Sequence, residues 1–333
     1  MKYRDFGATG LRVSEIGIGA FPISGLQTRP DGTQTGWTGI DDRESVALIH
    51  RAEELGVNVV DSAEGYGAGH SESIVGEALQ GARRQKWVVA TKVQPNQGLD
   101  REKPDTAAAR KRILDACAAS LRRLRMEVID LYQLHAIPHE WASETVMEAL
   151  AQLKREGKVR FYGISTNNQE AIERLRRFGP IEVLQIGYNL IERSAEELLH
   201  WAHRERIGTL IRVPLAKGML TGKYVGASAA ESLPPTDLRH ERFNRPESKD
   251  AFEKLPQLGF LADGSNGKGR TMTRAALRFV LQHPGVSSVI AGAKNRQQIE
   301  ENAAACDVPP IEGEELQKAL QIAGTIKTPG WIG

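Results

Sequence analysis

Short apolar runs rich in β-forming residues alternate along this chain with longer segments of helical period, eight times over. The runs cover residues 15–21, 57–61, 87–92, 128–135, 159–165, 183–188, 209–215 and 286–291. The helical segments are 43–55, 71–80, 105–124, 145–156, 169–178, 195–205, 271–283 and 296–305. Asp41 and Asp42 supply an N-cap and acidic charge where the first helix begins, and Gly157 stops the fourth. Strands that alternate with helices pair in parallel through right-handed crossovers. Eight such units predict a closed (β/α)8 barrel, with an open doubly wound sheet as the competing arrangement.

The 333 residues fit one barrel with additions, so a single domain over 1–333 is expected. Residues 1–13 read as a hairpin around Ala8-Thr9-Gly10, placed to cover the bottom of the barrel. The longest gap, 225–270, contains Pro234, Pro235, Pro246 and Pro256. It predicts a long loop insertion between strands seven and eight, with one helix near 249–258. A last helix is expected at 314–323, then a tail over 327–333.

The 44 basic residues nearly balance the 42 acidic ones, which argues against a nucleic-acid-binding face. Cys117 and Cys306 belong to no metal-ligand cluster and read as small buried apolar residues in a reducing compartment. The first residues lack an apolar signal region, and no apolar run approaches the roughly 20 residues of a membrane helix. A cytoplasmic protein with no membrane partner is the expectation. The phosphate loop G-x-x-x-x-G-K-[ST], the zinc helix H-E-x-x-H and the nucleophile elbow G-x-S-x-G are absent from the sequence. Gly65, Gly67 and Gly69 miss the Rossmann G-x-G-x-x-G spacing by one position.

In a barrel, the C-terminal ends of the strands face the site. Asp61 closes the second run, and Tyr66 follows in a glycine-rich loop. Lys92 closes the third run and His135 the fourth. Each has an ordinary structural reading: a loop cap, a solvated ammonium, a packed ring, a satisfied imidazole. Together they form a coherent chemical set. A phenol with a pKa near 10 holds its proton at neutral pH. An adjacent ammonium favours the phenolate, and a carboxylate keeps that ammonium charged and in place. An imidazole orients the reacting oxygen. The result is a proton donor or acceptor aimed at one oxygen, as a carbonyl needs when hydride reaches its carbon. This chemistry requires no metal.

These residues lie in segments that resemble the aldo-keto reductases, NAD(P)(H)-dependent oxidoreductases built on a (β/α)8 barrel. The matching segments are Asp61-Ser62-Ala63-Glu64-Gly65-Tyr66-Gly67, Ala90-Thr91-Lys92, and Ser120-Leu121-Arg122-Arg123-Leu124 leading to Ile129-Asp130-Leu131-Tyr132-Gln133-Leu134-His135. Further matches are Gly163-Ile164-Ser165, Gln185 with Tyr188-Asn189-Leu190, and the stretch from Pro214 to Lys223. Ile290-Ala291-Gly292-Ala293-Lys294, leading to Glu300-Glu301-Asn302, completes the series in family order.

The resemblance implies a tetrad of Asp61, Tyr66, Lys92 and His135, with Tyr66 as general acid in reduction, Lys92 and Asp61 tuning it, and His135 orienting the carbonyl. It implies that Ser165 and Gln185 hold the nicotinamide amide. Thr166 stands where Asn is usual, with Asn167 next. Arg212 replaces the aromatic residue that commonly stacks on the nicotinamide. A guanidinium plane stacks as well, adding positive charge that would shift redox preference; the other reading has Arg212 bind pyrophosphate or an acidic neighbour. Pro214, Leu215, Lys217, Gly218 and Lys223 resemble the pyrophosphate clasp. Gly292 opens a helix N-terminus suited to an anion. Lys294, Arg296 and Gln298 match an adenosine 2′-phosphate site, and Glu301 and Asn302 match adenine contacts. NADP(H) is therefore expected over NAD(H), and no metal.

Phe21 and Trp37 read either as pocket walls or as loop packing, and so do His139 and Trp141 after the fourth run. A small carbonyl or alcohol substrate is implied, reduction of an aldehyde or ketone being the default. Oxidation of a sugar or polyol, or a nucleotide-sensing subunit of a channel, are the alternatives. Oligomeric state stays open.

Overall fold

The computed structural model of the protein describes residues 1–28, 31–100, 102–224, 226, 228–262 and 269–330. Positions 225, 227 and 263–268 of the expected insertion and 331–333 of the expected tail lie outside them.

The chain opens with an antiparallel hairpin, β1 (Tyr3–Asp5) on β2 (Arg12–Ser14). Its turn carries Phe6, which is fully buried with Val13 against Val59, Val88, Leu131, Val183, Leu210 and Ile290. These come from the early residues of the barrel strands, so the hairpin plugs the barrel bottom as expected. β3 (Ile16–Gly19) is the first barrel strand. The run expected to reach residue 21 stops at Gly19, and Pro22–Ser24 turns the chain away. A second hairpin follows, β4 (Leu26–Thr28) on β5 (Gln34–Gly36). The sequence reading missed it because this polar stretch lacks alternating hydrophobic residues.

The remaining units are α1 (Asp42–Glu54), β6 (Val59–Asp61), α2 (His70–Ala78), β7 (Val88–Val93), α3 (Thr106–Leu124) and β8 (Ile129–His135). They continue with α4 (Glu144–Arg155), β9 (Val159–Ser165), α5 (Gln169–Arg176), β10 (Val183–Gly187), α6 (Glu196–Arg204) and β11 (Gly208–Arg212). The parallel strands close in the order β10-β11-β12-β3-β6-β7-β8-β9, where β12 is Ser288–Gly292. The open sheet is thereby excluded. All six residues of β7 are buried, as a strand covered on both faces must be. Side-chain N-caps start the helices: Asp41, Asp105, Ser143 and Asn168 each accept a first-turn backbone N–H.

β11 ends at Arg212, three residues before the expected 215, because Val213, Ala216 and Lys217 take left-handed backbone angles. The insertion holds two α-helices where one was expected, α7 (Leu238–Phe243) and α8 (Pro246–Lys254). Asp237 caps α7. Pro246 occupies the first turn of α8, where its missing N–H costs nothing, and Pro256 ends that helix. Then come α9 (Met272–Leu281), α10 (Arg296–Ala303) and α11 (Gly313–Thr325). Cys117 and Cys306 are both buried free thiols. Among the described residues, no helix is long and apolar enough to cross a membrane.

Candidate active site

Asp61, Lys92 and His135 end or nearly end adjacent strands β6, β7 and β8, so the barrel brings them to one rim. Tyr66 arrives from the loop after β6. Gly67, Ala68 and Gly69 in succession have φ of 61°, 52° and 95°, and this tight left-handed turn folds the ring back over the barrel mouth.

Lys92 is wholly buried, and its three N–H donors meet three acceptors. These are Asp61 Oδ2 at 2.7 Å, the Ser62 carbonyl at 2.7 Å and the Tyr66 hydroxyl at 3.1 Å. The other Asp61 oxygen accepts the Gln185 amide at 2.8 Å and the Gln133 amide at 3.2 Å. Burial pushes the Asp61 carboxyl up, against the pull of Lys92 and the two amides. Burial also opposes the charge on Lys92, but Asp61 and Tyr66 prevail and hold the ammonium above its ordinary value. Because Lys92 donates to Tyr66, the phenol keeps its own proton for another acceptor. The His135 ring stands edge-on to Tyr66, with centroids 5.9 Å apart. Burial, with Lys92 and Arg212 nearby, pushes His135 down to about 3, so the imidazole is neutral at physiological pH. All four residues named from the sequence are thus gathered in one place. Gln133 was not assigned a role there. Its position two residues before His135 on β8, hence on the same inward face, was the available signal.

Ser165 Oγ donates to Gln185 Oε1 at 3.0 Å, so this pair continues the network that begins at Tyr66. Thr166 Oγ1 accepts the Asn168 backbone N–H and serves the turn. Asn167 straps the end of β10, accepting the Gly187 N–H at 2.8 Å and donating to its carbonyl at 3.0 Å. The Arg212 guanidinium lies across Gly187, where a Cβ would meet it at 3.1–3.2 Å. Its contact is Asn167 Oδ1 at 3.3 Å, and among the described residues no acidic side chain pairs with it.

Further along the rim, Lys217 (φ 55°) and Gly218 (φ 105°) interrupt a turn after the buried Pro214 and the half-buried Leu215. Burial, with Arg242 and Arg212 close by, pushes Lys217 down to about 7. A Cβ on Gly218 would sit 3.1 Å from the Tyr224 ring, and the Lys223 ammonium lies 5.6 Å from that ring. Gly292 packs against Pro22. Lys294 Nζ donates to the Thr38 carbonyl at 2.8 Å and lies 5.0 Å from the Trp37 ring. Burial and Arg239 push Lys294 down to about 8. Its backbone N–H donates to Gln298. Exposed Arg296 pairs with the partly exposed Glu44 at 3.2 Å, Glu301 pairs with Arg274 at 2.7 Å, and Asn302 holds the Gly292 carbonyl at 3.2 Å.

Trp37 is buried between two cations, with the Arg239 guanidinium 4.4 Å from its ring on one side and Lys294 on another. Its indole N–H is buried and has no hydrogen-bond partner among the described residues. Phe21 meets Trp37 edge-on at 5.7 Å and lies 4.7 Å from Tyr66, so one aromatic row joins Tyr66 to Lys294. Arg239 comes from α7 and binds Asp237 through two nitrogens, each at 2.8 Å. Burial alone would raise the Asp237 carboxyl, but Arg239 and Thr38 hold it down to about 2. This pair was invisible in the sequence, where the insertion carries no periodic signal. Trp141 is buried in the core and His139 stands beside Glu140. Away from the rim, Glu196, His200 and His283 bring ligand atoms within 4.8 Å of one another. His283 Nδ1 accepts the Gly285 N–H, however, so Nε2 carries the proton of the neutral ring and has no lone pair for an ion.

Comparison with known proteins gives the family. A model of the Aldo/keto reductase family matches residues 31–323. Aldo-keto reductase YhdN of Bacillus subtilis is 33% identical over 307 residues, covering 90% of this chain and 87% of that one. A probable voltage-gated potassium channel subunit beta of Arabidopsis thaliana is 32% identical, covering 93% of each chain. Among solved structures, the glycerol dehydrogenase AKR11B4 of Gluconobacter oxydans superposes with TM-score 0.78 at 28% identity, covering 97% of this chain and 95% of that one. An aldo-keto reductase from Klebsiella pneumoniae in complex with NADPH superposes with TM-score 0.69 at 26% identity, covering 99% of both. The chain is a member of the aldo/keto reductase family, whose enzymes are NAD(P)H-dependent oxidoreductases.

Proposed function

We propose that this protein is an NADP(H)-dependent reductase of small aldehydes or ketones, reversible in principle, with Tyr66 as the proton donor. The observation that carries the reading is the Lys92 ammonium, whose three donors are spent on Asp61, the Ser62 carbonyl and the Tyr66 hydroxyl. The nicotinamide, when bound, supplies the hydride to the carbonyl carbon. Tyr66 gives its hydroxyl proton to the carbonyl oxygen, and the Lys92 N–H stabilises the oxygen that remains. Asp61 keeps Lys92 charged and fixed. Neutral His135 donates a hydrogen bond that orients the carbonyl. Phe21 and Trp37 form an apolar wall beside Tyr66 that excludes water.

The rim fits the cofactor. Among the described residues Arg212 has no acidic partner and the Trp37 N–H has no acceptor, and Gly218 leaves room for close approach. In this reading Ser165, Thr166 and Gln185 flank the nicotinamide and Arg212 faces its ring. A cation there disfavours a second positive charge, which favours binding of the reduced cofactor over the oxidised one. Pro214, Leu215, Lys217, Gly218 and Lys223 take the pyrophosphate. Gly292, Lys294, Arg296 and Gln298 take the 2′-phosphate end, with Glu301 and Asn302 at the adenine. Alcohol oxidation is the second reading, favoured by the likeness to a structure named glycerol dehydrogenase. The whole of 1–333 acts as one barrel domain. The test is turnover of NADPH against a panel of aldehydes and ketones, run beside NADP⁺ with polyols. Faster turnover with the carbonyl panel supports the reading, and exclusive turnover of polyols reverses it.

A further inference from the structure

Two acidic residues bracket Tyr66 in the sequence, Glu64 before it and Glu72 after. Both reach the same helix. Glu64 Oε1 accepts Arg112 Nη2 at 2.6 Å, and Glu72 Oε2 accepts Arg123 Nε at 2.6 Å. Arg112 and Arg123 are eleven residues apart on α3, close to three turns at 3.6 residues per turn, so they share one helix face about 16 Å apart along the axis.

Each acid also binds the segment that carries Lys92. The buried Glu72 takes the Thr91 hydroxyl at 2.6 Å, one residue before Lys92. Glu64 takes the Gln94 N–H at 3.1 Å, two residues after it, and the Glu64 N–H donates to the Lys92 carbonyl at 3.2 Å. The Tyr66 loop and the Lys92 strand are therefore stapled on both sides of the Tyr66–Lys92 contact, and an arginine from α3 completes each staple.

The loop needs such support. Ala68 sits at φ 52°, a conformation that costs an L-residue roughly 1–2 kcal/mol. A Cβ on Gly69 would lie 2.5 Å from the Arg123 side chain, so Arg123 fills the space beneath the turn. A buried ion pair adds little net stability compared with an apolar pair of the same shape, so placement is the better account of Glu72–Arg123.

We propose that Arg112 and Arg123 are positioning residues that set the Tyr66–Lys92 separation, each through its acidic partner. The proposal rests on Tyr66 being the proton donor. A shift of about 1 Å at such a contact lowers turnover roughly 100-fold.

The test compares kcat, KM and NADPH Kd, with NADPH and one aldehyde, for Arg112→Glu, Arg112→Lys, Arg123→Lys and Tyr66→Phe. The expected result is a fall in kcat of about 10- to 100-fold in Arg112→Glu, with NADPH Kd unchanged. Arg112→Lys keeps a cation for Glu64 and leaves that carboxylate to accept the Gln94 N–H, so it should hold kcat to within about threefold of wild type. Arg123→Lys should lose kcat while staying folded. If Arg123→Lys does not fold, the two Arg112 variants decide alone. Unchanged kcat in Arg112→Glu, or an equal loss in Arg112→Lys, overturns the proposal. Turnover retained in Tyr66→Phe would instead overturn the reading of Tyr66 itself, so the two failures are distinct.

Discussion

Lys92 donates a hydrogen bond to the Tyr66 hydroxyl across 3.1 Å, while its ammonium lies 4.6 Å from the centre of the same ring. In the proposed reaction, the direction of that bond makes Tyr66 the acid. The phenol oxygen accepts from the ammonium, so its proton points elsewhere, and the positive charge waits where negative charge develops when that proton leaves. Everything around Lys92 preserves this arrangement, and the consequences are measurable.

Lys92 and Asp61 are both buried, so each is costly without the other. Lys92→Met should lower unfolding free energy by about 3–5 kcal/mol, because it strands the Asp61 charge. Lys92→Met combined with Asp61→Asn should regain most of that loss, since both charges are then gone. Urea denaturation of the two variants checks this. Equal stability in both would mean that Asp61 is not charged in the folded protein.

His135 gives a pH dependence with a definite sign. Its ordinary value is 6.5 and the fold pushes it to about 3, chiefly by burial. Between those values the unfolded chain binds a proton that the folded protein does not, so stability falls as pH drops from 6.5 toward 3. His283, pushed by burial to about 4, acts in the same direction. His135→Gln should flatten the slope of stability against pH in this window while leaving the His283 contribution. An unchanged slope would mean that His135 titrates normally.

The architecture was legible because a closed parallel barrel buries its strands, which writes a regular apolar run before each helix. All eight barrel strands fell within or beside the expected runs. The site was legible for the same reason: Asp61, Lys92 and His135 are polar residues interrupting apolar strands at their C-terminal ends. The β4–β5 hairpin left no such trace, because it lies outside the barrel and buries little. Arg239 and Asp237 were hidden likewise, since their partners Trp37, Thr38 and Tyr224 are distant in sequence. Gln133 lay in plain view, but only the Asp61 contact gives it a purpose.

Of the residues we assign to the 2′-phosphate, Lys294 has more freedom to engage than Arg296. It is held by one carbonyl, that of Thr38, and by the Trp37 ring, whereas Arg296 already has Glu44. Lys294→Ala should weaken NADPH by about 10- to 100-fold, the worth of one hydrogen bond to a charged group, and NADH by much less. Fluorescence titration with both cofactors measures it. Equal weakening would place Lys294 away from the 2′-phosphate.

Arg212 rests on Gly187, and that contact offers a separate lever. Gly187→Ala pushes only the far end of a flexible side chain, so the fold should survive while the guanidinium moves. Arg212→Leu removes the charge altogether. Both should raise affinity for NADP⁺ relative to NADPH, by about tenfold for the leucine variant. A ratio unchanged in both would mean that the guanidinium does not face the nicotinamide ring.

The central claim is that the Tyr66 hydroxyl moves the proton. Tyr66→Phe keeps the ring against Phe21 and removes one oxygen, so it isolates that claim. Measured in single turnovers with NADPH and an aldehyde substrate, the variant should lose about 10²- to 10⁴-fold in rate, with NADPH affinity within about twofold of wild type. Turnover at the wild-type rate with intact NADPH binding would contradict the account.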